Sequence, residues 1–195
     1  NKNLLFINSF GSLYFIDLND FKIKWFKNLN QSLSYNSSNI FTGQPIISFD
    51  DKILASSKNN TYVIDEKLGS TIHKFNFSPL IKPIINNDYV FLISKNNFLI
   101  SFDLLSGNIL YSLNIDKEVS KFLNESKQNR LIFRDFMILN NNLFIFLENS
   151  FYLKFSVSGE LLEIKKLSSK INSKPVVIKN SILYLNNKNK LVVLN

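Results

Sequence analysis

The sequence predicts an all-β chain, a β-propeller of four-stranded antiparallel blades, and three observations carry that expectation. The composition is strand-forming: 19 Phe with abundant Ile, Leu, Tyr and Val, against 5 Gly and 4 Pro. Short apolar segments recur with a period of about 40 residues and four strands per unit, the spacing of propeller blades. An Asp-to-Gly corner returns between two strands of successive units. FIDLNDFKIKW at 15–25, VIDEKLGSTIH at 63–73, SFDLLSGNILY at 101–111 and the degraded KFSVSGELLEI at 154–164 are its copies. A helical solenoid of similar period would need 3.6-residue periodicity, and these segments are too short and too β-rich.

In chain order, Leu4–Ile7 reads as a short strand, followed by a turn at Gly11, a strand over Leu13–Leu18 and another over Ile23–Leu29. Residues 30–43 are Ser/Asn-rich and read as a long surface loop. A Pro-led strand (44–49) opens the next unit, then strands at 53–57, 61–65 and 71–77, with the corner closed by Gly69. The third unit repeats this with KPIIN (82–86), YVFLIS (89–94), FLISFD (98–103), the corner to Gly107 and ILYSLNI (109–115). Residues 117–130 break the rhythm, and Val119, Phe122 and Leu123 fall on one face of a short helix there. A fourth unit runs through 131–139, 143–148, 151–155, Gly159 and 161–167; a fifth has 174–178, 182–186 and 190–194.

The spacings support the alignment. Asp17, Asp65 and Asp103 are 48 and 38 residues apart, and Ser156 and Asn195 take the equivalent slot in the later copies. An Asp side chain can accept from amides two residues on, and Gly tolerates the positive φ that closes such a turn. The whole chain is therefore expected to be one partial propeller domain, with units near 1–43, 44–80, 81–130, 131–172 and 173–195, about four and a half blades of a larger ring. The first unit lacks an opening strand and the last a closing one, and the chain starts directly in a strand pattern. These features suggest a piece of a longer protein whose end blades leave apolar faces bare and prone to aggregation.

The formal charge of +8 comes almost wholly from lysines scattered through turns and strand ends, with Arg130 and Arg134 the arginines. Specific nucleic-acid recognition would want clustered basic residues interleaved with exposed aromatics, so that class is set aside. Zero cysteines exclude disulfides and thiolate metal sites. No apolar run approaches the ~20 residues needed to span a bilayer.

The corner resembles the pyrroloquinoline-quinone-type repeat, Ala-x-Asp-x-x-Thr-Gly-x-x-x-Trp. Ser101, Asp103, Ser106, Gly107 and Tyr111 fill its slots in the cleanest copy, Asp17 and Trp25 in the first, Asp65 and Gly69 in the second, and Gly159 alone in the fourth. The resemblance implies that Trp25 and Tyr111 pack between neighbouring blades. It also implies two branches. One is the quinone-dependent dehydrogenases, with quinone and calcium in the central channel; this chain shows no such ligand set. The other is the non-enzymatic, eight-bladed lipoprotein of the outer-membrane barrel-assembly machinery, which this chain resembles in form. That likeness implies a non-catalytic scaffold at the periplasmic face of the outer membrane, with a protein partner, a membrane β-barrel assembly subunit among the candidates, and no cofactor or metal. A dehydrogenase fragment, or an unrelated sensor or adaptor propeller, is the alternative.

No catalytic constellation stands out. His73 is the single histidine and has no partner in the sequence for base or ligand chemistry. Asp17, Asp65 and Asp103 read as turn caps in separate blades, and Asp50-Asp51 as a polar turn. The expected partner-binding positions are the two long connections, 30–43 and 117–130, with Phe122, Arg130 and Arg134 the preferred patch.

Overall fold

A computed structural model describes residues 2–30, 45–125 and 130–194. The described residues form five antiparallel sheets and one helix, each sheet a meander of strands consecutive in sequence. They fall into two compact units, Asn1–Lys82 and Pro83–Asn195.

The first unit holds a three-stranded sheet, β1 (Asn3–Ile7), β2 (Ser12–Asp17) and β3 (Ile23–Asn28). It also holds a four-stranded one, β4 (Ile47–Phe49), β5 (Lys52–Ser56), β6 (Thr61–Asp65) and β7 (Thr71–Phe75). Strand alternation sends Leu13 of β2 inward, where it meets Ile53, Ala55, Tyr62 and Ile64 of the second sheet, with Leu5, Ile7 and Trp25 packed alongside. Strands β5 and β6 carry apolar residues at their three central positions and are buried at nearly every position.

The second unit holds β8 (Ile84–Asn86), β9 (Tyr89–Ile93), β10 (Phe98–Asp103) and β11 (Ile109–Asn114), then helix α1 (Ile115–Phe122). A four-stranded sheet follows, β12 (Phe133–Leu139), β13 (Asn142–Leu147), β14 (Phe151–Ser156) and β15 (Leu161–Lys166). The last sheet has three strands, β16 (Val176–Ile178), β17 (Ser181–Leu185) and β18 (Leu191–Leu194). Phe146 and Tyr152 of the fourth sheet pack with Ile182 and Tyr184 of the fifth, bridged by Leu167 and Ile171.

Turn chemistry follows the residues. Asp50–Asp51 and Asn140–Asn141 join their strands with both residues at positive φ, 42° and 57° in the first pair and 49° and 56° in the second. Two-residue hairpins of this hand favour Asn and Asp because a short polar side chain tolerates the left-handed region.

Two expectations need correction. The prolines do not sit inside the strands they introduce: β4, β8 and β16 begin one or two residues beyond Pro45, Pro83 and Pro175. Without an N–H to donate, proline cannot open a hydrogen-bonded ladder, so pairing starts downstream of it. The helix begins at Ile115, inside the stretch read as strand 109–115, because the Asn114 side chain accepts from the Lys117 amide and caps it. Of its expected apolar face, only Val119 turns inward, with Ile115 and Ser120. Among the described residues no helix is long and apolar enough to cross a membrane.

Candidate functional site

The repeated corner is a construction joint. Asp65 Oδ1 accepts from the amides of Lys67 (2.9 Å) and Leu68 (2.8 Å), and Asp103 Oδ1 from Leu105 (2.9 Å) and Ser106 (2.7 Å). Asp17 accepts from the Asn19 amide at 2.9 Å and pairs with Lys24 at 3.0 Å. These two contacts, the amide first, hold its carboxyl below the usual carboxylate range. In the fourth sheet Ser156 replaces the Asp: its Oγ accepts from the Glu160 amide at 3.0 Å, across a loop one residue shorter.

Beyond each corner the outer hairpin slips register, between Phe15/Ile16, Val63/Ile64, Ser101/Phe102 and Lys154/Phe155. The slip leaves one outer-strand residue per sheet unpaired in the ladder, Lys24, Ile72, Leu110 and Leu162, each just before the paired Trp25, His73, Tyr111 and Glu163. Trp25 leans onto Gly69 of the next sheet, donating its indole N–H to the Glu66 carbonyl at 2.8 Å. A Cβ on Gly69 would lie 2.6 Å from the Trp25 ring, and the residue is at φ 67°. Gly159 (φ 93°) sits in the same way under Leu113 and Tyr111, at 2.7 and 3.2 Å from a hypothetical Cβ. Gly107 closes its corner at φ 73°. Glycine is needed at Gly69 and Gly159 for both backbone and space.

His73 lies half-buried on β7 with its ring 6.4 Å from that of Phe75. Asp51, at the β4–β5 turn, pairs with Lys67 at 2.7 Å, which lowers the carboxyl and raises the amine. Asp50 shares that turn. Among the described residues no three His, Cys, Asp or Glu side chains gather in a way that could hold a metal ion.

A different kind of place lies beside α1. Asp116 and Glu118 in its first turn and Lys121 in its last suit the helix dipole. The Asp116 carboxylate accepts from Asn97 Nδ2 at 2.9 Å and from the Leu131 amide at 3.1 Å, clipping the returning chain to the helix start. Between this helix and the fourth sheet is a cleft of about 260 Å³, walled by Val119 and Leu123 on one side and by Leu147, Phe151, Leu153 and Ile164 on the other. Ser120, Glu125 and Asn149 supply its polar lining. Phe122 and Leu123 stay 47% and 46% exposed at the helix end.

The three positions preferred from sequence occupy different places. Phe122 ends the helix beside the cleft. Arg130 is exposed next to Leu131, at the clipped helix start, roughly 9 Å along the axis by helical rise. Arg134 lies on β12 and donates to the Asn172 carbonyl at 3.1 Å, so it holds the segment leading to the fifth sheet. The connection 30–43 lies outside the described residues except for Asn30, as do 126–129 of the second connection and Asn195. The cleft's far wall was not singled out in the sequence, because its residues come from three strands and read locally as ordinary core.

No protein-family model matches the chain, and no curated protein matches it by sequence. Solved structures do. The chain is similar to BamB from Moraxella catarrhalis, at 10% identity and a TM-score of 0.57, over 99% of this chain and 66% of that one. It is also similar to the computationally designed Ika8 protein (11%, 0.69, 99% and 55%) and the computationally designed Ika4 protein (12%, 0.56, 85% and 98%). The chain thus spans just under two thirds of the BamB chain and about half of the Ika8 chain. At such identities the likeness is one of fold: BamB is a β-propeller, and the antiparallel meanders described above are propeller blades.

Proposed function

We propose that this chain is a non-catalytic β-propeller scaffold, built from pyrroloquinoline-quinone-type repeats, that holds a protein partner in outer-membrane protein assembly at the periplasmic face of the outer membrane. In this reading residues 1–195 form one partial domain of an eight-bladed ring. The observation that carries the binding role is the apolar cleft beside α1. Its helix is capped by Asn114 and clipped by Asp116, so Phe122 and Leu123 are presented in a fixed arrangement. A partner side chain entering the cleft gains apolar burial without first ordering the receptor, which is how preorganisation favours binding. Arg130 adds an exposed cation near one end of the helix, suited to an acidic neighbour on the partner. Arg134 acts at one remove, through the Asn172 carbonyl. The BamB-like fold supports the assembly role.

The test is binding of this chain to the soluble domains of a purified membrane β-barrel assembly subunit, followed by biolayer interferometry. Leu123→Glu should weaken it at least tenfold, about 1.4 kcal/mol, and Arg130→Ala by a few fold, more at low salt. Binding that ignores both substitutions, or does not occur, contradicts the proposal. Calorimetric heat on adding pyrroloquinoline quinone with calcium would instead favour the dehydrogenase reading.

A further inference from the structure

Lysines that read as scattered along the sequence are gathered by the fold of the second unit. Residues 164–195 carry seven of the chain's 23 Lys and Arg and none of its 15 acids, so nearly all of the net +8 belongs to this stretch. All seven are exposed. Six of them stand at one end of the fourth and fifth sheets.

Lys165 and Lys166 close β15, opposite Tyr152 and Phe151 at the start of β14. The connection beyond them is fastened to a turn of each sheet. The Leu167 amide donates to the Ser150 carbonyl of the β13–β14 turn at 2.8 Å. Ile171 bridges Asn186, and the Asn187 amide donates to the Lys170 carbonyl at 2.8 Å. Lys170 and Lys174 therefore stand beside the β17–β18 turn, which carries Lys188 and Lys190. That turn is itself held in shape: the buried Asn186 side chain accepts from the Lys188 amide at 2.9 Å and the Lys190 amide at 3.0 Å. Consecutive turns of an antiparallel meander alternate between its ends, so the seventh lysine, Lys179 of the β16–β17 turn, lies at the opposite end.

Little opposes this charge locally. Lys165 meets Glu163 at 3.9 Å, and Glu148 of the β13–β14 turn shares the end. Among the described residues the other five ammonium groups have no carboxylate within ion-pair reach. A neighbour stacking on a sheet covers its faces and leaves the turns at its ends open, so this surface stays accessible in a larger ring.

The residue types narrow the partner. Lysine is a compact, strongly hydrated charge without the planar fork that grips one carboxylate or phosphate in a fixed geometry. Arg134, which has that fork, is engaged with the Asn172 carbonyl. The single aromatic of residues 164–195, Tyr184, is buried, so no ring is offered for stacking on nucleic-acid bases. An anionic bilayer matches such an array: it presents many phosphates in no fixed arrangement, and its attraction grows with each lysine brought near. We infer that this basic end rests on an anionic phospholipid surface, with Lys165, Lys166, Lys170, Lys174, Lys188 and Lys190 facing the headgroups. The contact uses no residue of the cleft, so it stands or falls separately from the partner reading.

Vesicle flotation on a density gradient tests this without the assembly subunit, and aggregated protein sinks rather than floats. The chain should float with vesicles of phosphatidylcholine and phosphatidylglycerol in equal parts, stay behind with phosphatidylcholine alone, and be released by about 1 M salt. Lys188→Glu with Lys190→Glu should weaken binding at least tenfold and Lys188→Glu alone several fold, while the same change at Lys179 leaves it within twofold. No binding to the mixed vesicles, equal binding to both kinds, or equal effects at Lys188 and Lys179 would overturn the inference. So would Lys188→Glu abolishing capture of the assembly subunit while vesicles go unbound, which would assign the end to an acidic protein. Circular dichroism checks folding; where charge reversal unfolds the chain, glutamine at the same positions carries the same expected order of effects.

Discussion

Gly69 and Trp25 are joined by geometry that leaves one position no freedom. A methyl group at Gly69 meets the indole ring at 2.6 Å while the backbone stays at φ 67°. Gly69→Ala should therefore cost on the order of 2–4 kcal/mol, the sum of a left-handed alanine and an overpacked contact. Urea denaturation measures it, and a loss well under 1 kcal/mol, ordinary for a surface turn, would contradict the lock. Asp65→Ala removes an acceptor from two amides at the same corner and should cost about 1 kcal/mol, with Asp65→Asn losing less. A separate residue reports on the second unit. Burial, and then the Glu163 carboxylate that accepts its proton at 3.1 Å, push the Tyr152 phenol up to about 12 from 10.0. Because the folded value is raised, the stabilisation is complete below pH 10 and lost as pH rises from 10 towards 12. Tyr152→Phe should flatten that alkaline decline in a urea series; an unchanged slope would show that the decline comes from other groups.

At the scale of elements, the helix and its clip decide whether the cleft keeps its shape. Asn114→Ala should lower the stability of α1 by about 1 kcal/mol, and Asp116→Ala should free the Leu131 amide. Both should speed amide hydrogen exchange over α1 while leaving β13 and β14 protected. Equal acceleration in those strands would mean that the helix is not a separable element. Much of this scale was legible in the sequence, because strand alternation and the Asp–Gly corner are local signals written in consecutive residues. The strand starts around Pro45, Pro83 and Pro175 were misplaced by two or three residues, since periodicity does not say where pairing begins. Helix α1 was visible in outline, but which of its apolar residues turn inward depends on Asn114 capping the chain earlier than the strand pattern implied.

At the scale of the whole chain, the propeller class followed from the repeat, while the proposed binding cleft did not. The cleft joins Val119 and Leu123 to Phe151 and Ile164, residues roughly 30–45 positions apart whose local pattern is that of ordinary core strands. Likewise the partner of Trp25 is a glycine 44 residues on, a relation that only the stacking of sheets creates. Photo-crosslinking tests the central claim, that partner binding is centred on the cleft beside α1, most directly. A photoreactive residue at position 122 should capture the membrane β-barrel assembly subunit, while one at position 10, a still more exposed phenylalanine in the β1–β2 turn, should not. Capture from position 10 with none from position 122 would contradict the account.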